Sequence, residues 1–107
     1  MSETKKKLTI TVIDKKTYPD IISRYCHEVS NFSPVCDQFE VGQVYYTDCP
    51  ENCPEGFCAW AWRNIAQEVK AAYAGRTLPW VKVPHTYIAC CSDGFRPVFF
   101  EILYSEE

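Results

Sequence analysis

At 107 residues the chain makes one domain, with room for a single modest core. Apolar residues at 47% and charged residues at 23% exclude a disordered chain. The net charge is −3 and no basic stripe follows Lys5, Lys6 and Lys7, so the basic footprint of a nucleic-acid binder is missing.

Residues 1–7 are polar and charged and are expected to form a flexible lead-in to a single domain over residues 8–107. Leu8, Ile10 and Val12 alternate with Thr9, Thr11 and Ile13, which predicts a β-branched strand with one buried face. That run is too short for a membrane span and lacks the cleavage site of a secretory signal. The expected compartment is therefore the cytoplasm, where thiols stay reduced. Tyr18, Ile21, Ile22 and Tyr25 recur at helical spacing behind Pro19 and predict a short amphipathic helix. Residues 29–36 have loop composition and end at Cys36, and residues 41–47 suggest a second strand.

The stretch from Cys53 to Trp62 organises the rest. Cys53 and Cys58 flank a turn containing Pro54 and Gly56, and Cys58 stands where a helix should begin. A helix start presents unpaired N–H groups and partial positive charge, both of which favour a thiolate. The main helix is expected over 58–74, stopped by Gly75. Trp62, Ile65, Ala66, Val69, Ala72 and Tyr73 share its apolar face. Trp60 falls with Arg63, Asn64 and Gln67 on a polar one. After a rigid connection at Thr77-Leu78-Pro79-Trp80, residues 86–91 and 97–104 read as two strands. Ser92-Asp93-Gly94-Phe95-Arg96 supplies the turn between them. These elements predict a small α+β domain: a mostly antiparallel sheet of four strands, one main helix and one short helix.

Seven cysteines, an odd number in a reducing compartment, point away from a disulfide framework. The spacing Cys49-x3-Cys53-x4-Cys58 is looser than the paired ligands of structural zinc sites, whereas iron–sulfur proteins do use C-x4-C. A metal or cluster site, unliganded buried or reactive thiols, and a dithiol redox couple all stay open. Cys90 and Cys91 are adjacent on a strand and point to opposite faces, so one of them is expected to serve any given site. His27 and His85 are isolated. No nucleophile elbow, zinc-protease helix or phosphate loop is present, and a thiol enzyme would have to use Cys58 with a distant histidine. The high aromatic share, 15%, exceeds what so small a core can take up. It favours a pocket or contact surface built by Phe57, Trp60 and Trp80 with Arg96.

The segments Pro54-Glu55-Gly56-Phe57-Cys58-Ala59-Trp60-Ala61-Trp62, Pro79-Trp80 and Ala89-Cys90-Cys91-Ser92-Asp93-Gly94-Phe95-Arg96-Pro97-Val98 resemble an uncharacterised family. Its members are small cysteine-containing proteins of about this length, largely from anaerobic bacteria and archaea. The resemblance spans nearly the whole chain. It implies cysteines at the positions of Cys36, Cys58 and Cys91, often with Cys53 or Cys90, and makes Cys26 and Cys49 peculiar to this chain. It carries no activity over.

Three functional expectations follow. The first is a metal- or iron–sulfur-binding protein using Cys36, Cys53, Cys58 and one of Cys90 and Cys91, with zinc as the alternative metal and an electron-transfer or accessory-subunit role. The second is a non-catalytic binding module with an aromatic/Arg pocket and structural cysteines. The third is a thiol-dependent enzyme using Cys58. The expected partners are a redox protein, a larger enzyme or a second copy, with no nucleic acid and no membrane.

Overall fold

The computed structural model describes residues 5–27 and 35–106. The loop expected over 29–36 lies outside these residues up to position 34. Four strands, β1 (Lys6–Lys15), β2 (Val44–Thr47), β3 (Thr86–Cys90) and β4 (Val98–Glu106), form one antiparallel sheet in the order β2-β1-β4-β3. Three helices accompany it: α1 (Pro19–Tyr25), α2 (Ala59–Asn64) and α3 (Ala66–Tyr73). The predicted α+β domain is what the chain forms.

Alternation places the core on one face of the sheet. Leu8, Ile10 and Val12 on β1 lie opposite Tyr104, Ile102 and Phe100 on β4, and all six are buried. Each large apolar side chain removed from water there contributes about 1.5–3 kcal/mol. α3 covers this face with Val69 and Ala72, and α2 adds Ala61 and Trp62. Thr9, Thr11, Ile88, Cys90, Glu101 and Leu103 occupy the other face, and no helix packs on it among the described elements.

Three elements differ from expectation in their bounds. β1 begins at Lys6 because Lys6 and Lys7 pair with Glu106 and Ser105 of β4, so the strand takes in part of the expected lead-in. β2 begins at Val44 rather than position 41. Gly42, at φ 97°, forms the turn before it, and the Gly42 N–H donates to the Val12 carbonyl at 2.8 Å. The expected main helix is two helices joined at Ile65, whose ψ of 9° opens the turn. Ile65 is fully buried, and the N–H groups of Ile65 and Val69 still donate to the carbonyls four residues back, so the break is a one-residue bend. α1 forms behind Pro19 as predicted, yet buries none of its residues.

The departure that matters most for the site is a bulge in β1. Val12 stands opposite Phe100 and Asp14 opposite Phe99, so Ile13 is the extra residue. Ile13 turns outward, and the parity of the strand reverses behind it. Lys15 therefore lies opposite Val98, on the side of the sheet that carries the core.

Candidate functional site

A cavity of about 450 Å3 opens at the β3–β4 end of the core face. Three chain segments wall it: Cys36 to Phe39, the start of α2 at Cys58 to Ala61, and the turn from Cys91 to Arg96. Each wall contributes one thiol.

Local chemistry fixes the α2 wall. The Phe57 N–H donates to the Pro54 carbonyl at 3.0 Å, closing a turn in which Gly56 takes φ 82°, a conformation that suits glycine. The turn sends Phe57 into the core and leaves Cys58 as the N-cap, extended at ψ 122°. The Cys58 carbonyl then accepts the first helical bond, from the Trp62 N–H. Cys58 thus stands at the helix start, as the spacing predicts.

The turn wall is built by Asp93. Its Oδ1 accepts the backbone N–H groups of Phe95 and Arg96, at 2.9 and 3.1 Å, and its Oδ2 accepts the Arg96 Nε–H at 3.2 Å. Arg96 is thereby held at the cavity with its charge partly balanced. The Cys91 N–H donates to the Val98 carbonyl at 3.1 Å, and the Val98 N–H donates to the Cys91 sulfur at 3.3 Å. Ser92 is gripped from α2: its backbone N–H donates to Asn64 Oδ1 at 3.0 Å, and its hydroxyl accepts the Trp60 Nε1–H at 3.1 Å. Trp60 and Asn64 are one helical turn apart and clasp the same residue, which seats the exposed Trp60 ring on the rim.

The Cys36 wall is held by Lys15. Its ammonium donates to the carbonyls of Cys36 and Phe39, at 2.9 and 2.7 Å. In the sequence Asp14-Lys15-Lys16 is only a charged run behind the apolar alternation, which gives no sign of this role. A bulge between apolar and charged residues leaves no mark in the alternation that would reveal it.

The five cysteines expected as metal ligands separate here. Cys36, Cys58 and Cys91 line the cavity. Cys53 lines a shallow, solvent-open groove beside Lys7, Tyr46 and Asp48, its sulfur 3.8 Å from the Phe57 carbonyl oxygen. Cys90 lies on the opposite face of the sheet, so Cys91 is the member of that pair that faces the cavity. Of the expected pocket residues, Trp60 and Arg96 line the cavity and two do not. Phe57 is buried in an aromatic cluster with Phe39, Tyr45, Trp62 and Phe100, and Trp80 is exposed on the loop before β3. Phe39 and Phe95 complete the apolar lining, and the sequence had not singled them out. His27 and His85 are not among the lining residues.

Three thiols outside the cavity, those of Cys53, Cys90 and Cys49, hold their protons more tightly than an ordinary cysteine. Burial, then the neighbouring Cys58, pushes the Cys53 thiol up; burial, then Cys91 and Glu68, does the same for Cys90. Cys49 donates its thiol proton to Glu51 at 2.6 Å, which raises its pKa and lowers that of the carboxyl. Among the described residues, no group of three or more His, Cys, Asp or Glu side chains is placed to hold a metal ion. Nor is any described helix long and apolar enough to cross a membrane. No family model, curated protein or solved structure matches the chain.

Proposed function

We propose that this chain is a small binding module whose ligand occupies the cavity between Cys36, Cys58 and Arg96. What carries the reading is the lining: apolar side chains dominate, an aromatic ring hydrogen-bonded to a turn residue that Asn64 also holds stands at the rim, and a single guanidinium lies at one side. Such a concave, mostly apolar site with few polar groups suits a ligand with an apolar body and an anionic end. Asp93, the carboxylate at the cavity, is committed to two backbone N–H groups and to Arg96, which leaves it poorly suited to act as a general base for Cys58. Binding therefore fits these residues better than thiol catalysis.

Anilinonaphthalene sulfonate has an aromatic body and one anionic group and serves as a probe. One saturable site is expected, lost in both Trp60→Ala and Arg96→Ala. Probe binding that ignores both substitutions would refute the module.

A second reading rests on one observation, the three thiols on one cavity. They are also the three cysteine positions that the family resemblance implies. An iron–sulfur cluster there would supply one-electron transfer, and a zinc ion would cross-link the three walls. As placed, the thiols do not form a ligand set around one point, so this reading requires them to turn inward. Preparation without oxygen, an absorption spectrum, and iron, sulfide and zinc per chain decide it. A colourless, metal-free, folded protein removes it.

A further inference from the structure

The far end of the sheet carries charge and apolar surface that the cavity does not use. Leu78-Pro79-Trp80-Val81 is a β-turn closed by the Val81 N–H donating to the Leu78 carbonyl at 3.1 Å, with Pro79 presetting its second position. Trp80, next along the crown, is 78% exposed, and Val83 is 55% exposed. From Val69 to Ser92 the sequence holds Lys70, Arg76 and Lys82 and no acidic residue, in a chain whose net charge is −3. Lys70 is close enough to Glu51 to help hold its carboxyl down, while Arg76 and Lys82 are exposed beside the turn.

The fold adds the first lysines to this end. Lys6 Nζ lies 4.8 Å over the Tyr73 ring, Tyr73 meets Tyr104 edge-on at 6.4 Å, and Tyr104 meets His85 at 6.0 Å. The carboxylate on this chain of contacts is Glu106, which accepts the Tyr104 hydroxyl at 2.6 Å. Lys5 and Lys6 thus lie at the same end of the sheet as the loop that carries Arg76, the exposed Trp80 and Lys82, with Glu106 opposite Lys6 as the carboxylate among them.

We propose that this end docks on an anionic lipid surface. Trp80 and Val83 enter the headgroup boundary, where indole rings concentrate, and the four cations meet the lipid phosphates. Charge complementarity names an anionic partner, and the shape of the loop selects lipid over protein. An indole at the crown of a turn has no packed flank around it, whereas the energetic centre of a protein interface is a desolvated, well-packed patch. A lipid surface conforms to such a wedge. The expectation of no membrane partner rested on the lack of an apolar span, and docking of this kind requires none.

The test is sedimentation of the full chain with vesicles of phosphatidylcholine alone, and of phosphatidylcholine and phosphatidylglycerol in equal parts. The mixed vesicles should carry the protein down at low salt and release it at high salt, and the neutral ones should leave it in solution. Each cation removed should weaken partitioning about fivefold, so Arg76→Gln with Lys82→Gln costs about 25-fold. Trp80→Ala should cost about tenfold without altering the circular dichroism spectrum, since the ring is exposed. No binding to mixed vesicles overturns the proposal, as does binding that is indifferent to Trp80→Ala. Capture by polyglutamate as tight as by vesicles, and equally blind to Trp80, would mark a simple polyanion site and would also overturn it. Loss of probe binding at the cavity leaves this result untouched, because the two surfaces share no residue.

Discussion

Lys15 donates to the carbonyl of Cys36 at 2.9 Å because a bulge at Ile13 has turned the lysine to the core side of the sheet. The same ammonium donates to the Phe39 carbonyl, so one side chain holds the whole wall that carries Cys36. Lys15→Met keeps most of the aliphatic length and removes both bonds. Hydrogen bonds from a charged donor are worth about 1.5–3 kcal/mol each when buried; here the site is half-buried, so a loss of about 2 kcal/mol is expected for the pair. A lower urea midpoint with unchanged slope, together with weaker probe binding, would bear this out. Unchanged probe affinity would mean that the wall does not depend on Lys15.

Phe57 and Trp60 stand three residues apart, and their substitutions should separate stability from binding. Phe57 is buried against four aromatic rings. Phe57→Ala should therefore cost about 3–5 kcal/mol in urea unfolding. Trp60 is 67% exposed and loses one surface hydrogen bond on truncation. Trp60→Ala should cost about 1 kcal/mol or less, yet abolish the probe site. A large stability loss at Trp60 with the probe still bound would reverse the two roles.

Thiol reactivity should sort by position. The Cys53 and Cys90 thiols are raised above the ordinary 9.0, because the sulfurs are partly withdrawn from water and each has a second thiol nearby. Iodoacetamide labelling of these two, followed by peptide mass spectrometry, should show midpoints above pH 9.0. A midpoint below 9.0 at either position contradicts the surroundings described for it.

Tyr104 should give the protein a weakness at high pH. The Glu106 carboxylate that accepts its hydroxyl, assisted by burial, pushes the Tyr104 pKa up from 10.0 to about 12. A group whose proton is held more tightly in the folded state stabilises it fully below pH 10.0. That contribution is lost as pH rises from 10.0 towards 12, where the unfolded chain binds fewer protons. Melting curves across this window should fall more steeply for the native chain than for Tyr104→Phe. Parallel curves would remove the hydrogen bond from the account.

The faces of β1 and β4 were legible in the sequence, since residues two apart along a strand must share a face and only one set is apolar throughout. The helix start at Cys58 was legible as well, because Pro54 and Gly56 close a turn using neighbours alone. The break at Ile65 was not: a continuous apolar stripe fits two helices joined by a one-residue bend as well as it fits one. Nor could periodicity show that the apolar face of α1 stays uncovered, since it gives the stripe and not what packs against it.

Local pattern alone determined the strands, the turn before α2 and the opposite facing of Cys90 and Cys91, because each depends on contacts between near neighbours in the chain. The gathering of Cys36, Cys58 and Cys91 at one cavity, and the separation of Cys53 and Cys90 from it, was decided by tertiary structure. Those three thiols come from a loop, a helix start and a strand end. They meet because β1 lies beside β4 in the sheet and because the bulge in β1 aims Lys15 at the loop that bears Cys36. A one-residue change of strand parity acts between segments far apart in sequence, and only the pairing of those segments reveals it.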